Sequence, residues 1–94
     1  MKATIGEPPV ETIQQFHAQI AEAMSFPHYY GRNLNALWDV LRIDIEKPTQ
    51  LIWLNSTYSN EAMGADFATI VSLCHELTAE DDKNGWPRFE LILK

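Results

Sequence analysis

Two adjacent tyrosines, Tyr29 and Tyr30, stand shortly before an aspartate, Asp39, in the stretch Pro27-His28-Tyr29-Tyr30-Gly31-Arg32-Asn33-Leu34-Asn35-Ala36-Leu37-Trp38-Asp39. Leu34, Leu37, Trp38, Leu41 and Ile45 recur at helical spacing, and Asn33 is a favoured N-cap residue just ahead of them. Asn35, Asp39 and Arg42 share another face of that helix. The chemistry this permits is recognition. A carboxylate between an aromatic loop and Trp38 can enter a basic cleft, where Arg and Lys donors otherwise hold phosphate. Read alone, without its neighbours, Asp39 is a solvated helix-face carboxylate, the usual state of Asp.

Turnover has less support. Cys74 and His75 are adjacent in a helical pattern, so their side chains diverge by about 100° and cannot form a nucleophile–base pair. Cys74 falls on an apolar stripe and reads as core. His17, His28 and His75 lack metal-ligand spacing, and there is no Gly-rich phosphate loop or catalytic carboxylate pair. No enzyme activity, metal or cofactor is expected.

The run Tyr29-Tyr30-Gly31-x-Asn33-Leu34-x-Ala36-Leu37-Trp38-Asp39 resembles the barstar family of intracellular ribonuclease inhibitors, and the likeness extends in order over nearly the whole chain. The resemblance implies an inhibitor whose acidic helix and Tyr-rich loop plug a nuclease active site. The expected contact residues are Tyr29, Asn33, Asn35, Ala36, Trp38, Asp39 and Arg42, with Glu76 on a later helix as a second acidic contact. Taken alone, Glu76 is a solvated glutamate. The implied partner is a secreted or toxin-type ribonuclease with a basic cleft, bound as a 1:1 complex by a monomer. The alternative is a regulatory module that binds a non-nuclease toxin or another basic protein. Three positions depart from the family pattern: Asn35 stands where an Asp is known, Arg42 adds a positive charge, and Asp44 replaces an aromatic at the interface edge. At i+3 from Asp39, Arg42 is expected to neutralise it partly in the free protein.

Composition agrees with a protein partner. The 94 residues carry a net charge of −6, which disfavours direct nucleic-acid binding, since that needs a basic face. An apolar fraction of 46%, with four Phe, three Tyr and three Trp, can fill one core, so residues 1–94 read as a single domain. No apolar run is long enough to span a membrane, and the N-terminus does not read as a signal peptide. One cysteine permits no internal disulfide, and the expected compartment is the cytoplasm.

The elements that must position these residues follow from periodicity. A first strand covers Met1 to Gly6. Thr12-Ile13-Gln14-Gln15 reads as a capping box opening a helix that buries Ile13, Phe16, Ile20, Ala23 and Met24 and stops before Pro27. His17 lies beside that stripe and is expected at its boundary. Tyr30 is expected inward, and Gly31 to take a positive φ before the helix Leu34 to Ile45. Leu51 to Leu54, continuously apolar, predicts a central strand covered on both faces. A short helix within Asn55 to Met63, capped by Ser56 or Thr57, is followed by Gly64 at a C′ position. Phe67, Ile70, Val71, Cys74 and Leu77 mark the next helix, with Ser72, Glu76 and Glu80 off its stripe. Glu80 to Pro87 reads as a polar loop before the last strand, Arg88 to Leu93. The alternation predicts an α/β fold with a parallel sheet and right-handed crossovers. This agrees with the barstar-like architecture, a three-stranded parallel sheet with helices packed mainly on one side.

Overall fold

The computed structural model describes all residues, Met1–Lys94. Strand β1 (Lys2–Ile5) leads to helix α1 (Ile13–Ala23), then α2 (Leu34–Asp39), which runs into a π-helical turn (Val40–Asp44). Strand β2 (Thr49–Trp53), helices α3 (Ser56–Met63) and α4 (Ala65–Asn84), and strand β3 (Phe89–Leu93) complete the chain. The sheet is parallel with order β1-β2-β3, so the apolar run predicted as the central strand occupies that place.

One face of the sheet carries Ala3, Ile5, Leu51, Trp53 and Phe89, all buried beneath helices. Phe16 of α1 stacks on Trp53 with ring centroids 5.1 Å apart, and Phe67 of α4 meets Trp53 edge-on at 4.9 Å. The Trp53 indole N–H, deep among these rings, donates to Ser59 Oγ, which spares it an unpaired buried donor. The opposite face is not closed in the same way: Thr4 is exposed and its register partners Ile52 and Ile92 are half-buried. The expectation that β2 is covered on both faces is therefore corrected. Four helices on so short a sheet satisfy one face fully and leave the other partly to solvent.

Local signals account for most helix ends. Thr12 Oγ1 accepts from the Gln15 N–H at 3.1 Å, while Gln15 Oε1 reaches back one residue further, to the Glu11 N–H. Gly64, at φ +60°, ends α3, and Gly85, at φ +68°, ends α4. Gly6 has a different constraint. A Cβ there would lie 2.1 Å from the Leu54 carbonyl oxygen, and its φ is +104°, so the chain leaving β1 can pass β2 only with glycine.

Five expectations need correction. The helix from Leu34 does not stay regular to Ile45: after Asp39 it widens, and Val40 joins Leu37 and Leu41 in the core while Ile45 is only half-buried. Gly31 is not the left-handed residue before α2; Arg32 is, at φ +52°. Neither Ser56 nor Thr57 caps α3. Asn55 does so from a left-handed conformation, with its side-chain amide donating to the Gly6 carbonyl. Glu80 to Asn84 is helix rather than loop, because Asp81 is wholly buried and satisfied there. Finally, His17 is buried rather than at a boundary, because Tyr30 folds over it.

Candidate functional site

The Tyr loop is anchored from beneath. Tyr30 turns inward, its ring edge-on to Phe26 at 4.9 Å, and a 2.6 Å hydrogen bond joins its hydroxyl to His17 Nδ1. Burial pushes the Tyr30 phenol up from its ordinary range, and burial followed by the Arg32 charge lowers His17, so a neutral imidazole meets a neutral phenol. With its neighbour fixed, Tyr29 points outward and is 72% exposed, the most exposed large apolar side chain of the protein. His28 meets its ring edge-on at 5.8 Å.

Asn33 then opens α2 as its type predicts. Its Oδ1 accepts from the Ala36 N–H at 2.8 Å, and its Nδ2 lies 3.4 Å from the Gly31 carbonyl. Ala36 thus contributes its backbone to the cap and a half-buried methyl to the core. Asn35 and Asp39 are exposed on the outer side of α2.

Between α2 and α4 runs an open groove of about 500 Å³. Leu34, Asn35 and Trp38 form one wall, and Thr69, Ser72, Leu73 and Glu76 line the other. Trp38 is half-buried: it packs against the core and lines the groove at once. The structure thereby brings Asn35, Trp38 and Glu76 to one depression, with the Tyr29–Asn33 loop leading into α2. Asp39 and Arg42 do not line it. Asp39 takes part in none of the three ion pairs of the chain, and neither does Glu76.

Arg42 is placed otherwise than its spacing implies. Its Nε donates to Glu80 Oε1 on α4 at 2.6 Å instead of turning back to Asp39. Arg42 makes this contact from within the π-helical turn, whose i→i+5 bonding departs from the regular α-helical register on which the Asp39 spacing rests. Spacing places Glu80 with Glu76 off the apolar stripe of α4, but nothing in the sequence marks it as the partner of Arg42, 38 residues away.

A family model described as "Barstar (barnase inhibitor)" matches residues 3–91. The chain belongs to the barstar family. Among curated relatives is YrdF of Bacillus subtilis (strain 168), provisionally named a ribonuclease inhibitor. It is 34% identical over 70 residues, covering 74% of this chain and 77% of the relative. The barstar resemblance of the Tyr29–Asp39 run is thus matched across almost the full length, and the three-stranded parallel sheet with four helices is consistent with the barstar-like fold.

Proposed function

We propose that this protein is a stoichiometric inhibitor of a bacterial ribonuclease, acting in the cytoplasm of the producing cell as a monomer in a 1:1 complex. The Tyr29–Asn33 loop and α2 cover the nuclease cleft. Asp39 takes the place of a substrate phosphate, and Trp38 and Glu76 engage the rim across the groove. Asn35 and Arg42 flank Asp39 on this face. Membership of the barstar family and the name of the Bacillus relative support inhibition of a ribonuclease.

One observation carries the assignment to this face: Asp39 is exposed and free of internal ion pairing, on the helix that follows the outward Tyr29 and whose Trp38 lines a groove shared with Glu76. An unpaired surface carboxylate contributes little to stability, so its charge is free for a partner. Tyr and Trp bury much area at small entropic cost, which suits them to anchor such a contact. The overall acidity, net charge −6, favours encounter with a basic enzyme.

The test is a nuclease titration. Purified protein is added to barnase cleaving a fluorogenic RNA. Inhibition that saturates near one equivalent supports the reading, and undiminished cleavage at large excess, repeated with other secreted basic ribonucleases, rejects it.

A further inference from the structure

The Arg42–Glu80 pair gives the proposed binding face a charge pattern that its net acidity conceals. Glu80 is held by Arg42 Nε at 2.6 Å, whereas Asp39 and Glu76 make no ion pair within the chain. Arg42 is fixed twice. Its side chain is held by Glu80, and its backbone carbonyl accepts from Lys47 Nζ, which is itself paired with Asp81, the residue after Glu80. The π-helical turn is thus tied to the C-terminal half of α4 at two consecutive acidic residues.

Only Nε of the guanidinium is used within the chain, and the Arg42 side chain keeps 40% of its exposure. Its two terminal amino groups therefore remain donors, held near one orientation beside the acidic face. A guanidinium fixed in this way matches a carboxylate well, and it repels a cation brought to the same place. Immobilising it beforehand also lowers the ordering cost of a contact.

We propose that Arg42, positioned by Glu80, is a specificity-determining contact of the inhibitory face. It selects ribonucleases whose cleft rim carries a carboxylate opposite the π-helical turn and disfavours those whose rim is basic there. This rests on the ribonuclease-inhibitor reading above. Discrimination arises from repulsion of the wrong partner as much as from attraction of the right one.

The test uses barnase as the probe, with stopped-flow association rates for the wild-type chain, Arg42→Gln, Glu80→Gln and the double variant across a salt series. Thermal unfolding of each variant confirms folding. A second set of probes replaces, one at a time, the exposed Lys and Arg residues around the barnase cleft with Glu. Arg42→Gln is expected to associate with unmodified barnase on the order of three- to tenfold faster at low salt, with the gain shrinking as salt rises. Glu80→Gln, which leaves Arg42 unpaired, is expected to slow association, and the double variant to lose that slowing. At least one Glu-bearing barnase should bind the wild-type chain better than unmodified barnase does, and lose this gain with Arg42→Gln. Equal rates for wild type and Arg42→Gln against every probe overturn the proposal, as does a failure of all combinations to bind. The inhibitor reading is judged separately, by whether inhibition depends on Asp39: an Asp39-dependent inhibitor indifferent to Arg42 refutes only the specificity role.

Discussion

Lys47 Nζ lies 2.9 Å from Asp81 Oδ1, and the Asp81 carboxylate is fully buried. Its other oxygen accepts from the Phe89 N–H at 2.9 Å, so one side chain joins α4, the segment before β2, and the start of β3. Removing one member of such a pair leaves the other charge buried without compensation, which costs about 3–5 kcal/mol. Asp81→Ala is therefore expected to lower unfolding free energy by about that amount, measured by urea titration. A loss below 1 kcal/mol, roughly the value of an exposed pair, refutes the structural role.

What was legible in the sequence was local. Asn33 as cap, the Leu37 and Leu41 stripe, and the apolar central strand follow from spacing and residue type, because each signal lies within a few neighbouring residues. His17 and Asp81 were misread for the opposite reason. Their partners Tyr30 and Lys47 stand 13 and 34 residues away. A polar residue on an apolar face cannot announce which distant group satisfies it. The π-helical turn was hidden likewise, since 3.6-residue periodicity continues on paper through Ile45. Arg42 lies within that turn and reaches Glu80, 38 residues away, instead of Asp39, a pairing that local spacing does not show.

His17 makes stability depend on pH. Burial, and then the Arg32 charge, lower its folded-state pKa below the ordinary value of 6.5. Between the lowered value and 6.5 the unfolded chain binds more protons than the folded one, so stability rises with pH through that window. It is complete above 6.5 and is lost progressively as pH falls below it. Chemical unfolding at a series of pH values should show this slope, and His17→Gln should flatten it. An unchanged slope in the variant assigns the dependence to other groups.

Cys74 is wholly buried, and desolvation pushes its thiol up to about 12. Native protein is expected to react with a thiol reagent at pH 8 only as fast as it opens, and denatured protein at the rate of a free thiol. Fast labelling of the native chain contradicts this burial.

Asp39→Ala separates binding from folding. The carboxylate is exposed and makes no ion pair in the chain, so the melting temperature should hardly move. Binding to an inhibited ribonuclease should weaken by about 2–5 kcal/mol or more, because the enzyme's cationic cluster is left buried without its counter-charge. Calorimetric titration beside thermal unfolding gives both quantities. Unchanged affinity moves the site elsewhere on the surface.

Asn35→Asp adds a charge whose two consequences differ in sign of risk. The position is exposed, in the first turn of α2, two residues after the Asn33 cap. A carboxylate there meets the positive end of the helix dipole, stabilising by about 0.3–1 kcal/mol. It also sits one turn before Asp39, and like charges at i, i+4 oppose each other by a few tenths of a kcal/mol. The dipole contribution is the larger, so stability should stay level or rise slightly. Association with barnase should accelerate, most at low salt, since the added charge enlarges the acidic face without disturbing the Arg42–Glu80 pair. Stopped-flow rates and thermal unfolding of this one variant read both effects. Faster association with unchanged stability locates Asn35 in the encounter surface, whereas unchanged rates at every salt concentration place it outside that surface and confine the contact to the Asp39 end of α2.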